Sequence, residues 1–166
     1  TVLYSLATIP ATIICSLILA ILLNRKMAGR TILRTIYFFP YVASLVAVAA
    51  VWNLIFHPTM GPVNEILMGV GITNPPRWTA DTSWALPTVI MASVWRYMGY
   101  YMIIYLAALQ GIPVYLYEAA SIDGASSQQQ FLLITIPMLR SVLLFVLTIT
   151  LIASANLFGQ PYLMTA

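Results

Sequence analysis

Residues 2–23 read VLYSLATIPATIICSLILAILL, a run without a charged side chain that stops at Asn24-Arg25-Lys26. An α-helix rises about 1.5 Å per residue, so a stretch of this length matches the roughly 30 Å hydrocarbon core of a bilayer. The same pattern recurs along the chain. Apolar runs cover roughly 36–56, ending near His57-Pro58; roughly 86–109, ending at Gln110-Gly111-Ile112-Pro113; and roughly 138–158, running into Gly159-Gln160-Pro161. Each approaches the roughly 20 residues that a spanning helix needs. None alternates polar and apolar residues as the ~10-residue strands of a membrane barrel do. The expected fold is an all-α integral membrane protein, a polytopic bundle with four spans in residues 1–166 as a single domain.

Composition points to the same solvent. Hydrophobic residues make up 61% of the 166, charged residues only 7%, and the mean hydropathy is +0.94. A soluble domain carries roughly 25% charged residues, so this chain cannot cover an ordinary water-facing surface. Net charge is +3 and the pI is near 9.2. The basic residues are too few and too localised for nucleic acid, and membrane lipid is the expected surrounding. With four acidic residues, one His and one Cys, all scattered, no catalytic set is present. His57 lacks a second histidine for a metal site, and Cys15, inside ATIICSLILA, reads as a packing residue. The chain starts at Thr1 without a methionine or basic segment and ends at Ala166 inside a continuing pattern. It is expected to be a piece of a longer polypeptide.

The loops set an orientation. Arg25, Lys26, Arg30 and Arg34 lie in or beside the first loop, Arg77 alone in the second, beside Glu65 and Asp81, and Arg140 at the far edge of the third. Lys/Arg-rich loops stay cytoplasmic. Residues 24–34 and 110–137 are therefore expected inside, and roughly 57–85 outside with both ends of the chain. In the outer loop, MGPVNEILMGVG places Val63, Ile66, Leu67 and Val70 at helical spacing, with Pro62 suited to the first turn and Gly69 or Gly71 to the end. A short interfacial helix is expected there, with Trp78 and Trp84 in the aromatic belt. Pro10, Pro40 and Pro87 punctuate the spans, which membrane helices tolerate.

The third loop, YLYEAASIDGASSQQQFLLITIPML at 115–139, is too apolar for a free linker. Pro113 opens a helix over Val114 to Ile122, and Gly124 closes it in the left-handed conformation. Ser126 or Ser127 caps a second helix with Gln129 or Gln130 three positions on, and Phe131, Leu132 and Ile134 line its apolar side. Pro137 starts the next span. The exposed face of the first helix is expected to carry Tyr117, Glu118, Ser121 and Asp123. Ala119, Ala120 and Gly124 let another backbone approach, so the hairpin reads as a rigid knob for a partner's groove.

These residues carry a family resemblance. Glu118-Ala119-Ala120, then Gly124, Ile134 and Ile136-Pro137 resemble the EAA motif of the membrane subunits of ABC importers. YEAASIDGASSQQQFLLITIP, LAALQGIP before it, LFGQPYLMT at the end and MGPVNEIL in the outer loop look like the sugar-transporting branch, the maltose and glycerol-phosphate type. The resemblance implies a permease core of about six spans, each needing roughly 20 residues, of which the first and last would be missing here. It also implies a coupling helix, with Tyr117, Glu118, Ala119, Ala120, Asp123, Gly124 and Pro137 as the ATPase-coupling residues. The implied partners are a cytoplasmic ABC ATPase dimer, a second permease subunit in a heterodimer and an extracytoplasmic solute-binding protein. The implied location is the bacterial inner membrane. Lacking G-x-x-x-x-G-K-[ST], the chain is expected to bind no cofactor, ATP and Mg residing in the partner.

Polar residues inside spans face the bundle. Ser93, Tyr97 and Tyr100 share a helical face, as do Thr150 and Ser154, with Asn156 nearby. The resemblance places sugar contacts on the two helices flanking the EAA loop, which makes these six residues the candidate substrate path; polar contacts between helices are the plainer alternative. Arg96, inside the third span, is either a functional charge or one that snorkels outward. The function expected is a permease of a sugar importer. A non-sugar ABC permease and a secondary transporter or channel bundle remain the alternatives.

Overall fold

The computed structural model describes residues 2–25 and 27–155. All regular structure among them is helical: α1 (Val2–Asn24), α2 (Arg30–Val42), α3 (Leu45–Ile55), α4 (Pro62–Gly69), α5 (Thr82–Gln110), α6 (Val114–Ile122), α7 (Ser127–Gln130), a π-helical turn (Phe131–Thr135), α8 (Ile136–Met138) and α9 (Arg140–Ala155).

The first apolar run is a single helix, and it alone is long and apolar enough to cross a membrane among the described residues. Three bent pairs reach the same condition together: α2 with α3, α5 with α6, and the Ser127–Met138 run with α9, giving up to four spans if each pair is one. The expected second span over 36–56 is corrected accordingly. The helix begins at Arg30 and breaks at Ala43 and Ser44, where the axis turns by 100°. Extended backbone at both residues makes the break (ψ 148° and 134°).

α1 and α5 form the central pair and run parallel. Ala20 and Leu23 at the end of α1 pack with Tyr105, Leu106, Leu109 and Ile112 at the end of α5, while Tyr4 packs with Val89 and Ala92 near the start of both. The buried stripe of α1 runs Tyr4, Thr8, Thr12, Ser16, Ala20, one residue per turn. Small side chains on one face allow close helix approach where lipid supplies no hydrophobic drive between helices. α2 and α9 run the opposite way. Leu33 and Leu139 pack with the cluster at the ends of α1 and α5, the lower core, whereas the Tyr41 and Ala43 carbonyls reach Arg96, earlier in α5, and Ser154 reaches Tyr4. Residues 24–25, 27–30 and 110–139 therefore share one end of the bundle and 56–81 the other. Arg25, Arg30, Arg34 and Arg140 belong to the first end and Arg77 to the second, the asymmetry read from the sequence.

The outer segment is a packed structure. α4 starts at Pro62 and ends at Gly69, as expected, with Gly71 at φ +99° beyond it. Asn64, almost wholly buried, donates from Nδ2 to the carbonyls of Pro58 (2.9 Å) and Pro76 (3.1 Å) and accepts from Trp78 Nε1 (2.7 Å). Trp78 lies against Phe56 and Trp84, which ties this loop to the top of α3 and α5. His57 accepts backbone N–H groups of Thr59 and Met60 at Nδ1, a boundary role. Asp81 caps α5 by accepting from the Ser83 N–H (2.9 Å).

α2 meets α5 at Gly99, where an added Cβ would overlap the Tyr37 carbonyl. Backbone cannot yield as a flexible side chain does. Gly99→Val should cost roughly 1–3 kcal/mol as an overpacked contact and lower the thermal midpoint of the purified protein in detergent. Gly69→Ala, where a Cβ meets no atom within 4 Å, is the control and should leave the midpoint unchanged or slightly raised.

Candidate functional site

Two sets of candidate residues were read from the sequence, and they occupy different parts of the bundle. Inside, Tyr97, Thr150 and Ser154 line one crevice with Tyr4, Thr8, Thr12 and Tyr101. Its volume is about 30 Å³, room for about one water molecule. Ser93 is fully buried, and its hydroxyl donates to the Val89 carbonyl (2.7 Å). Thr150 donates to the Val146 and Leu147 carbonyls, and Ser154 to that of Leu151 (2.9 Å). These hydroxyls are satisfied within their own helices and keep acceptor lone pairs for the crevice. Tyr100 turns the other way, stacked on Tyr41 of α2 (ring centroids 4.4 Å), and Tyr41 also meets the edge of Tyr97 (6.1 Å). Asn156 lies outside the described residues.

Tyr41 is the member of this aromatic group that sequence reasoning missed. Its own run offers no periodic signal, because the helix ends just beyond it. Arg96 explains where that helix can end. Its Nη2 donates to the carbonyls of Ala43 (3.1 Å) and Tyr41 (3.4 Å), which the break would otherwise leave unpaired. The side chain does not snorkel to the outer face. It crosses to α2, with Nε and Nη1 buried and unpartnered among the described residues.

At the other end, the expected hairpin is present. α6 covers Val114–Ile122 with Pro113 at its start, and Gly124 has φ +79°. Ser126 accepts from the Gln129 N–H, and Gln129 Oε1 accepts from the Ser126 N–H (2.7 Å), a complete capping box. Glu118, Ala119, Ser121, Asp123 and Gly124 are exposed, Ala120 is half-buried, and a Cβ on Gly124 would meet nothing within 4 Å.

Three expectations are corrected here. Tyr117 does not belong to the exposed face; it is half-buried, and its hydroxyl lies 2.9 Å from Thr135 Oγ1. Pro137 does not start the next span. It sits near the end of the helical run Ser127–Met138, and α9 begins at Arg140 after a 62° bend. The proline ring opposes the carbonyl four residues before it, and the π turn immediately upstream widens the helix there, with the Ile136 N–H reaching back to the Phe131 carbonyl. Leu132 is 61% exposed, so only Phe131 and Ile134 of the expected apolar side are even partly buried.

The chain matches, over residues 12–166, the family described as binding-protein-dependent transport system inner membrane component. It is 42% identical over 164 residues to the lactose transport system permease protein LacF of Rhizobium radiobacter, covering 98% of this chain and 55% of that protein. A crystal structure of a bacterial ABC transporter involved in import of the acidic polysaccharide alginate is similar with a TM-score of 0.78 and 25% identity, over 96% of this chain and 63% of that one. A second alginate transporter structure, in complex with an alginate pentasaccharide-bound periplasmic protein, gives 0.74 and 28%, over 88% and 55%. The chain spans about half the length of the curated relatives it matches.

The geometry of the hairpin turn makes a direct expectation. Gly124→Ala puts a Cβ on a left-handed residue and should destabilise the hairpin by roughly 1 kcal/mol or more. Amide exchange in α6 should quicken about five-fold or more with that of α1 and α5 unchanged; equal exchange in α6 would mean that the turn conformation carries no cost.

Proposed function

Because the chain belongs to the family of binding-protein-dependent transport system inner membrane components, we propose that it is a translocation-path subunit of an ATP-driven ABC importer for a sugar or a related polar solute. The observation that carries this reading is the exposed surface of α6, where Glu118, Ala119, Asp123 and Gly124 stand free of the bundle at its arginine-rich end. A turn residue open on all sides, next to small side chains and two carboxylates, suits the close approach of another protein's backbone. On this reading the hairpin is cytoplasmic and docks into one subunit of an ATPase dimer, which holds ATP and Mg. A second permease subunit and lipid cover the apolar outer faces of the bundle, such as Leu144, Phe145, Leu151 and Ile152 of α9. An extracytoplasmic binding protein meets the opposite end, built around Asn64 and Trp78. The chain is multi-pass in a bacterial inner membrane.

Support for a carbohydrate comes from two sides. The solute named for LacF is lactose, and that named for both structural neighbours is alginate. Within the bundle, the rings of Tyr41, Tyr97 and Tyr100 and the hydroxyls of Thr150 and Ser154 supply the apolar faces and hydrogen-bonding groups that a sugar needs. The crevice of about 30 Å³ is too small for a sugar, so the path opens only as α9 moves away from the α1–α5 pair.

Two outcomes are expected. Glu118 should hold a charge-assisted contact worth roughly 1.5–3 kcal/mol, so Glu118→Ala should weaken ATPase association about ten-fold or more. Gly124→Val should weaken it further, or uncouple hydrolysis from uptake, while membrane insertion persists. Co-purification and binding-protein-stimulated ATP hydrolysis in reconstituted vesicles read both, and wild-type coupling in Gly124→Val would remove the hairpin from the mechanism. Tyr97→Ala and Ser154→Ala should each reduce uptake or solute affinity; if both leave them unchanged, the substrate path lies elsewhere.

A further inference from the structure

Among the described residues, helical hydroxyls mostly bond to their own backbone. Ser16, Thr35, Thr88, Ser93, Ser121, Thr148 and Thr150 all donate to a carbonyl four residues back. Thr135 departs from this habit. It is buried, it lies in the π turn, and its hydroxyl pairs with that of Tyr117, on a different helix. A second link runs beside it: Gln130 Nε2 donates to Ser121 Oγ (2.9 Å) and to the Ala125 carbonyl (3.3 Å). Tyr117 and Ser121 are one α-turn apart on α6. Gln130 and Thr135 are five residues apart, the hydrogen-bond spacing of the π turn that ends at Thr135 rather than of an α-helix. In an unbroken α-helix Thr135 would be rotated well away from the line through Gln130 that faces α6. The π turn brings the two rungs into register.

These rungs matter because little else holds α6. Among the described residues it packs broadly against no other helix, and only Leu116 and Tyr117 reach the main core. We propose that the Tyr117–Thr135 and Ser121–Gln130 links, set in register by the π turn, brace α6 rigidly to the segment leading into α9, and that Thr135 is a positioning residue for the coupling of ATP hydrolysis to transport. This rests on the importer reading and deepens it. Force applied to the exposed face of α6 passes through the rungs to Thr135, and from there across the 62° bend into α9, which carries Thr150 and Ser154. Without the rungs, α6 stays docked to the ATPase but moves without turning α9.

The test uses the full-length permease assembled with its partner permease, ATPase and binding protein in vesicles. Thr135→Val keeps the shape and removes the hydroxyl; Tyr117→Phe removes the other one. Each should retain ATPase association while lowering solute taken up per ATP hydrolysed by roughly three- to ten-fold, the factor one hydrogen bond supplies. The double variant should be no worse than either single one, because both remove the same link. Thr135→Ser should restore wild-type stoichiometry. Should Thr135→Val fail to insert, Tyr117→Phe, which removes a single oxygen atom, decides the matter. Wild-type stoichiometry in Tyr117→Phe, or additive losses in the double variant, would overturn the brace. A wild-type complex that binds no ATPase would instead overturn the importer reading, and faster amide exchange in α6 of Thr135→Val relative to wild type then decides whether the rungs brace α6 at all.

Discussion

A backbone carbonyl in hydrocarbon has no water to bond, so a helix can end at membrane depth only where another group takes its last carbonyls. That constraint explains why the second apolar run can break at Ala43 and Ser44. Arg96 reaches across from α5 and supplies the donors for Tyr41 and Ala43. An ionised guanidinium is costly to bury, and two of its nitrogens are unpartnered among the described residues. The cost is accepted because the break redirects the chain by 100°, sending α3 over the start of α1, where Ala49 and Trp52 pack with Tyr4. Close approach of α2 to α5 at Gly99 holds the two carbonyls within reach of that arginine.

The same shortage of partners governs the side chains. A buried serine or threonine hydroxyl is an expense unless it donates, and the preceding turn's carbonyl is always at hand. On the buried face of α1, Ser16 donates to the Thr12 carbonyl (2.6 Å) in this way, whereas Thr8 Oγ1, also buried, makes no such bond among the described residues. Polar groups facing the crevice at Thr150 and Ser154 follow the same habit and retain only their acceptor capacity. A solute that offers hydroxyl donors, and rings or C–H faces for the tyrosines, is the chemistry complementary to that lining.

How far the sequence reveals this depends on how local each cause is. The helix ends of the hairpin were legible because their signals are local: Pro113 before the first helix, Gly124 after it, and a capping box that the sequence narrowed to Ser126 or Ser127 with Gln129 or Gln130. The first span was legible from length and apolar continuity. The break in the second was not: Pro40 punctuates the run, as Pro10 and Pro87 do theirs, without placing a turn at Ala43 and Ser44, and the permission for that turn comes from Arg96 on another helix. Pro137 was misread because the missing N–H that suits the first turn of a helix equally suits a position after a π turn, and packing of Leu139 and Val142 in the lower core decides between them. Tyr117 was placed on the wrong face because so short a helix with apolar residues all round does not say where the bundle lies. Of the candidate substrate path, helical spacing put Thr150 and Ser154 on one face, and packing brings that face to Tyr97 at one crevice, but Tyr100 pairs with a tyrosine that spacing could not bring to it.

The three bends divide the molecule by stiffness. α1 is unbroken, and its long packed seam with α5 makes the pair a strut. The three bends within candidate spans lie outside that seam: the break after Val42, the turn after Gln110, and the bend after Met138. Backbone rotation concentrates at such element ends, whereas a packed helical seam resists it. A displacement of the α6–α7 hairpin is therefore delivered to α9 more readily than to α1 or α5. It is α9 that brings Thr150 and Ser154 to the crevice, while Tyr4, Thr8, Tyr97 and Tyr101 belong to the strut. On the proposed coupling, a crevice with one wall on the packed α1–α5 pair and the other on α9 is a site whose width a displacement of the hairpin would change.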